Sequence, residues 1–140
     1  MSISEVKRQK LASLAIEARD ASYSPYSGFA VGAALLCESG VVYTGANIEN
    51  ASYTPTVCAE RVAFFKAVSA GERSFSAIAI AGGKASEAPH DEVYPCGVCR
   101  QVMAEFCTGD FEIITATEGG YTVATLSELL PHSFNKENLS

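Results

Sequence analysis

The chain has 140 residues, of which 48% are hydrophobic and 19% are charged, and its formal net charge is −6 at pH 7. These values fit one globular domain over residues 1–140 with an ordinary apolar core, and they exclude an intrinsically disordered chain. The acidic balance also disfavours nucleic acids and anionic membrane surfaces as partners, since both are bound mainly through clustered lysine and arginine. No apolar run is long enough to span a bilayer, so we expect a cytoplasmic protein without a membrane partner.

The N-terminal segment is predicted to form a helix followed by two strands. Apolar residues recur at helical spacing over residues 4–23, and Ser2 and Glu5 are spaced as a capping box for the start of that helix. Two short runs of β-favouring residues follow, over residues 31–36 and 41–45. A connection of hairpin length joins these two predicted strands.

The rest of the chain alternates helices with strands. We expect Gly82 and Gly83 to break the third strand, because glycine weakens a strand interior. The last two strands are separated by three residues, which is too short for the crossover that a parallel pair needs, so they should be antiparallel neighbours. This interleaved order predicts an α/β fold in which helices cover a sheet. The remaining elements are predicted as helices over 57–70, 97–106 and 126–130 and strands over 77–81, 112–117 and 121–125.

Three of the five cysteines stand at predicted helix starts. Cys58 begins one helix, and Cys96 and Cys99 form a C-x-x-C motif at the start of the next. A helix N-terminus lowers the pKa of a thiol and favours the thiolate that a metal needs. Three sulfurs can fill three of the four tetrahedral positions of zinc and leave the fourth to water. Glu60, two residues after Cys58, is placed to act as a general base beside that water.

Arg61 follows Glu60 and offers positive charge at the same site. Zinc with three thiolates carries one net negative charge, which weakens its acidifying effect on water. We expect Arg61 to donate hydrogen bonds to the sulfurs rather than to contact a substrate. Two other interpretations stay open at this point. A thioredoxin-like redox pair would leave the Cys-Ala-Glu sequence unexplained, and a structural zinc site would lack a fourth ligand.

The sequence Cys-Ala-Glu at 58–60, followed by Pro-Cys-x-x-Cys at 95–99, resembles the signature of the zinc-dependent cytidine deaminase superfamily. Segments 26–34, 47–53 and 129–134 are similar to the small nucleoside cytidine deaminases, so the resemblance covers nearly the whole chain. It implies a three-layer α/β/α sandwich with a mixed five-stranded sheet. It also implies one zinc ion per chain and a homotetramer.

The resemblance further implies roles for individual residues. Glu60 would take a proton from water and pass it to N3 of the pyrimidine, and cytidine or deoxycytidine would become uridine or deoxyuridine with loss of ammonia, a reaction of pyrimidine salvage. Phe29 would lie against the ring, Asn47 and Glu49 would bind the ribose 3′-hydroxyl, and the backbone N–H of Ala59 would meet the base O2. Residues that would reach a neighbouring subunit's site are Ala51, Tyr53 and Phe134.

Rival interpretations within and beyond this superfamily make different predictions. Polynucleotide and guanine deaminases usually begin the motif with histidine, whereas this chain has Cys58. Deaminases of blasticidin S share Cys-Ala-Glu and the small size, and a non-catalytic, zinc-stabilised interaction module would make Glu60 dispensable. Many relatives have Lys, Cys and Gly at the positions of Gly28, Ala46 and Asn135, and these departures concern the affinity and fine shape of the pocket more than the reaction.

Overall fold

The computed structural model describes residues 3–140. Ser2, the predicted capping residue, lies outside this range, and the first helix is instead capped by Ser4, whose hydroxyl accepts a hydrogen bond from the Lys7 N–H. The predicted order of elements is confirmed. The helices are α1 (Glu5–Ala18), α2 (Ala59–Ser69), α3 (Gly97–Phe106) and α4 (Leu126–Leu129), the strands are β1 (Phe29–Cys37), β2 (Val42–Ala46), β3 (Phe75–Lys84), β4 (Glu112–Thr117) and β5 (Gly120–Thr125), and 3₁₀ helices cover Arg19–Ala21 and Lys136–Leu139.

The five strands form one mixed sheet in the order β2-β1-β3-β4-β5. Strands β3 and β4 are parallel, and each of the other neighbouring pairs is antiparallel. The antiparallel pairing of the last two strands is therefore confirmed. The parallel pair is joined through α3, which supplies the crossover that such a pair requires.

Helices cover both faces of the sheet and give the three layers that were expected. On one face α1 packs through Leu11 and Ala15 against residues of β1 and β3 such as Ala34 and Ala79. On the other face α2 and α3 enclose a larger core that includes Phe64. Alternate residues of β1 enter the two cores, as the period of two of a strand requires.

Strand β3 continues through Gly82 and Gly83, so the prediction that these glycines break it is wrong. A Cβ atom on Gly82 would lie 3.1 Å from Cε2 of Phe29 and 3.1 Å from Cγ2 of Val93. Glycine is needed here because the Phe29 ring and the Val93 side chain lie directly over the strand. The cost of glycine in a strand is outweighed by this close approach, which the local sequence does not reveal.

Two other glycines let helices approach the sheet very closely. A Cβ atom on Gly32 would lie 2.1 Å from the Ala15 carbonyl oxygen of α1, and one on Gly45 would lie 2.5 Å from the Ala59 carbonyl oxygen of α2. Both contacts are with helix backbone, which cannot move aside as a flexible side chain can. The two glycines thus fix the distance between the sheet and the helices on its two faces.

Replacing Gly32 with alanine is expected to destabilise the fold by about 1–3 kcal/mol, because the added methyl group would force α1 away from β1. Urea denaturation measures the change. Gly119→Ala is the matched control, since its Cβ atom would meet only the Thr117 hydroxyl, at 3.9 Å. Equal unfolding midpoints for the two variants would contradict the close contact at Gly32.

No helix within residues 3–140 has the length and apolar character needed to cross a bilayer.

Candidate metal centre and active site

The three predicted cysteine ligands are presented by the first residues of two helices. Cys58 is the N-cap of α2 and Cys96 is the N-cap of α3, and both have extended backbone conformations. Neither side chain caps its own helix by a hydrogen bond, so both sulfurs are available for other partners. Cys99 lies in the first turn of α3 and is 1% exposed.

The sulfur geometry fits a tetrahedral zinc ion. The Sγ atoms of Cys58 and Cys96 are 3.7 Å apart, and those of Cys96 and Cys99 are 3.6 Å apart. Zinc–sulfur bonds of about 2.3 Å at tetrahedral angles place sulfurs about 3.8 Å from one another. All three sulfurs lie within 4.8 Å of one another, and residues 3–140 contain no other such group. The donor set is soft and suits zinc rather than calcium or magnesium.

The cysteines are electrostatically prepared for a metal. Hydrogen bonding from the Cys99 thiol, together with Arg61 and Cys96, lowers the pKa of Cys58 to about 5. The hydrogen bond to Cys58, followed by burial, raises the pKa of Cys99. Cys58 and Cys99 titrate as a coupled pair and therefore keep one proton between them in the absence of a metal. Metal binding at this group would release that proton.

The Arg61 side chain lies beside the Cys58 sulfur. Its Nη2 donates to the Cys58 Sγ at 3.5 Å, and its buried Nε has no hydrogen-bond partner among residues 3–140. The interaction with Cys58 raises the pKa of Arg61, so this side chain stays charged. A fixed positive charge beside three sulfurs offsets the excess negative charge of the group.

Replacing Arg61 with glutamine is expected to weaken zinc affinity by roughly 10- to 100-fold, because the charge that stabilises the Cys58 thiolate is lost. Competition with a chromophoric chelator measures the change. Arg73→Gln is the matched control: Arg73 lies just beyond α2 and bonds to the carbonyls of Val68 and Glu72, so its loss should leave zinc affinity unchanged. If the two variants bind zinc with equal affinity, Arg61 does not contribute to metal binding.

Glu60 lies in the first turn of α2, two residues after Cys58, and is 4% exposed. Burial raises the pKa of its carboxyl group to about 7, against the opposing effect of its own backbone N–H. The Cys58 sulfur raises this pKa further, whereas Cys99 and Arg61 lower it, so the carboxyl group lies within electrostatic reach of the three-cysteine group. A buried carboxyl group with a pKa near neutrality can both accept and donate a proton at physiological pH.

Two of the predicted pocket residues lie where β1 begins and directly after β2 ends. Phe29 begins β1, is 39% exposed and lies against the backbone of Gly82. The Asn47 Oδ1 accepts from the Val31 N–H at 2.9 Å and from the Ser22 hydroxyl at 2.6 Å, and its Nδ2 donates to the Phe29 carbonyl at 2.9 Å. Within the described residues, one Asn47 amide hydrogen therefore remains for another partner.

Glu49 supports the loop that follows α1. Its Oε1 accepts from the backbone N–H groups of Tyr26 at 2.9 Å and Ser27 at 3.1 Å, and the Ser27 hydroxyl bonds to its other oxygen. The Ser27 hydroxyl lowers the pKa of Glu49, so the group is ionised. A pocket of about 350 Å³ opens beside this carboxylate. Its lining residues are Tyr26, Ser27, Glu49, Asn50, Tyr53 and Thr56.

The structure separates the remaining predicted residues into a buried one and three exposed ones. Ala59 is fully buried at the start of α2, where the first backbone N–H groups of a helix lack intrahelical partners. Ala51 is exposed, Tyr53 is 74% exposed with φ of 64°, and Phe134 is 62% exposed. The Phe134 carbonyl accepts from the Gln101 side chain at 2.7 Å, which ties the C-terminal segment to α3.

Sequence reasoning missed two arginines near the site. Arg100, directly after Cys99, donates from Nε to the Pro95 carbonyl at 2.7 Å and from Nη1 to the Leu129 carbonyl at 2.7 Å, and so supports the turn before Cys96. Arg19 is 9% exposed and bonds to four backbone carbonyls. Arg19 follows the buried Ala15 by four residues and is the C-cap of α1, but this spacing alone does not distinguish a buried arginine from an exposed one.

The site combines three cysteine sulfurs spaced for zinc with a buried carboxyl group, all at helix starts of an α/β/α sandwich. This combination is that of a zinc-dependent hydrolase. The family model for the cytidine and deoxycytidylate deaminase zinc-binding region matches residues 5–115. The chain belongs to this family. The predicted family and the predicted zinc cofactor are thereby confirmed, and the redox-pair interpretation of the C-x-x-C motif is not supported.

Individual relatives agree over nearly the whole chain. A cytidine deaminase of Sporosarcina psychrophila is 51% identical over 133 residues, covering 94% of each chain. A cytidine deaminase of Halalkalibacterium halodurans is 49% identical over 134 residues, covering 95% of this chain and 98% of the relative. The crystal structure of a cytidine deaminase from Burkholderia pseudomallei has a TM-score of 0.80 at 40% identity, covering 94% of this chain and 100% of that one.

Proposed function

We propose that this protein is a single-domain, zinc-dependent cytidine deaminase that hydrolyses cytidine and deoxycytidine to uridine and deoxyuridine. The observation that carries the proposal is the buried Glu60 carboxyl group against the group of three cysteines. Relatives named cytidine deaminase, at up to 51% identity over nearly full length, support the substrate.

Cys58, Cys96 and Cys99 would hold the zinc ion, and their sulfur spacing and charge balance fit it. Zinc held there supplies Lewis acidity that makes water a nucleophile near neutral pH. Arg61 would keep the Cys58 sulfur as a thiolate and limit the negative charge of the group. The start of α2 adds the partial positive charge of a helix N-terminus at the same place.

Glu60 would move the protons of the reaction. Its carboxylate takes a proton from the attacking water and gives it to N3, while the water oxygen bonds to C4 of the ring. The second proton of the water then goes to the amino group, the C4–N4 bond breaks, and ammonia leaves. One water is consumed for each ammonia released, and Glu60 returns to its starting state.

The substrate would be held by groups that the fold has already fixed. The Phe29 ring would form an apolar wall for the pyrimidine, and the free N–H of Ala59 would bind the base O2. The remaining amide hydrogen of Asn47 and the Glu49 carboxylate would bind the ribose 3′-hydroxyl. The pocket beside Glu49 has no lysine or arginine in its described lining, which favours a nucleoside over a nucleotide.

The assembly we propose is a homotetramer of a cytoplasmic enzyme in pyrimidine salvage. Ala51, Tyr53 and Phe134 are exposed beside or near the pocket, and apolar surface of this kind is typical of a subunit interface. These residues would reach the site of a neighbouring chain. Light scattering of the purified protein tests the assembly, and a monomer at working concentration would contradict it.

Loss of ultraviolet absorbance tests the proposed reaction directly. We expect the zinc-loaded protein to convert cytidine and deoxycytidine, and to leave deoxycytidine monophosphate and blasticidin S nearly unchanged. If zinc is bound but neither nucleoside is converted, the nucleoside proposal fails. Conversion of blasticidin S alone would assign the chain to the antibiotic deaminases instead.

A further inference from the structure

Arg19 is a buried cation whose hydrogen-bond partners in the described part of the chain are all backbone carbonyls. Its Nε donates to Ala30 at 3.0 Å, and its Nη2 donates to Gly83 at 3.2 Å, Lys84 at 2.9 Å and Glu87 at 3.1 Å. Within residues 3–140 it forms no ion pair with a carboxylate. The carbonyl dipoles therefore compensate its charge, and the hydrogen bonds are the reason that it is tolerated inside the fold.

These carbonyls lie at one end of the β1–β3 ladder. Ala30 pairs with Gly83 and Phe29 pairs with Lys84, and Arg19 bonds to three of these four residues. The fourth bond, to Glu87, draws the following turn into the same cluster. The guanidinium group thus joins the first residues of β1 to the last residues of β3.

Arg19 and the Phe29 ring lie on opposite faces of this ladder. A Cβ atom on Gly83 would lie 3.5 Å from the Arg19 Nη2, whereas one on the adjacent Gly82 would lie 3.1 Å from the Phe29 ring. Successive strand residues point to opposite faces, so Arg19 approaches from the α1 side and the ring lies on the α2 and α3 side. The arginine consequently supports the backbone directly behind the ring.

We propose that Arg19 is a positioning residue that fixes the Phe29 ring as the pyrimidine-binding wall. This inference rests on the proposed function, because it assigns the ring to the substrate. Without the guanidinium group, several carbonyls at the end of the ladder lose their donor, and the end of β1 that carries Phe29 becomes mobile. A displaced wall weakens nucleoside binding in the ground state and the transition state alike.

The test compares Arg19→Gln and Arg19→Lys with the wild-type protein. We expect Arg19→Gln to raise KM for cytidine about tenfold and to change kcat by less than about threefold. Arg19→Lys should lie between the two, because its ammonium group can reach some of the carbonyls but lacks the planar fork. Calorimetry of uridine binding should show the same order of affinities without depending on turnover.

Arg8→Gln is the matched control. Arg8 lies on α1, the helix that Arg19 directly follows, and pairs with Glu112 at 2.8 Å, where β4 begins next to Ala77 of β3, far from the ladder end that carries Lys84. It should lower the melting temperature without changing KM. If Arg19→Gln behaves like Arg8→Gln, with lower stability and unchanged KM and uridine affinity, the inference is wrong and the proposed function stands.

A double-mutant cycle with Phe29→Leu tests whether Arg19 affects KM through the Phe29 ring or through the stability of the whole fold. If Arg19 acts through Phe29, the increase in KM caused by Arg19→Gln should largely disappear when Phe29 is already leucine. Additive increases in KM would overturn the inference. Should Arg19→Gln fail to fold, Arg19→Lys provides the same cycle. A wild-type protein that binds zinc but converts no nucleoside would overturn the proposed function and this inference together.

Discussion

Replacing Glu60 with glutamine is expected to lower cytidine turnover by roughly 10²- to 10⁴-fold while zinc stays bound. The amide preserves the size of a side chain that is 4% exposed, so the pocket keeps its shape. It cannot accept a proton from water, and the reaction loses its proton shuttle. Absorbance assays of turnover and atomic absorption of bound zinc measure the two effects on the same preparation.

The control for Glu60→Gln is Glu112→Gln, which also removes a buried carboxylate. Glu112 is 7% exposed and pairs with Arg8 on the α1 side of the sheet. Its replacement should cost stability and leave turnover per folded molecule unchanged. If the Glu60 variant kept wild-type turnover, the catalytic role would be excluded.

Although Glu60→Gln should lower turnover, it should not lower the thermal stability of the metal-free protein at pH 8. Because burial raises the pKa of this carboxyl group to about 7, its stabilising contribution is present below the ordinary value of 4.5 and is lost as the pH rises through about 7. At pH 8 the ionised carboxylate is therefore unfavourable in the fold. We expect Glu60→Gln to unfold at the same temperature as the wild type or higher under these conditions.

Replacing Cys99 with serine is expected to abolish both zinc retention and turnover. Cys99 is 1% exposed and lies within the three-sulfur group, and a serine hydroxyl is a poor ligand for zinc at neutral pH. Zinc bound only to the folded protein also stabilises it, so a chelator should lower the melting temperature of the wild type. The same chelator should leave the melting temperature of the Cys99 variant unchanged.

Cys37→Ser is the matched control, since Cys37 is equally buried, in β1, and lies outside the sulfur group. It should destabilise the fold but keep zinc and the response to the chelator. Loss of zinc in both variants would mean that metal retention follows overall stability. Retention of zinc in the Cys99 variant would remove that residue from the ligand set.

Much of the fold could be predicted because local signals and tertiary structure agree. The bounds of α3 and β4 coincide with the predicted ranges 97–106 and 112–117. Helix α2 begins two residues later than predicted, because Cys58 is an extended N-cap rather than a helical residue. The error at Gly82 arose because only tertiary structure shows that the Phe29 ring lies over that glycine.

The metal group was visible in the sequence because its ligands follow helix-start signals and a fixed spacing. The supporting arginines were not, because their acceptors are backbone carbonyls from distant segments. Arg100 joins residues 95 and 129, and Arg19 joins α1 to the ends of two strands. A carbonyl acceptor has no sequence signature, so contacts of this kind become visible only in three dimensions.

The close approach at Gly32 and Gly45 has a consequence for engineering new substrate scope. Gly32 sets the position of α1 and Gly45 that of α2, which carries Cys58 and Glu60 at its start. A methyl group on Gly45 would therefore shift these two residues relative to Cys96 and Cys99 on α3. The pocket walls come instead from loop side chains such as Tyr26 and Tyr53, which are exposed and have room to vary. A mutant library that diversifies those loops and spares the two glycines explores recognition while the chemistry stays in place.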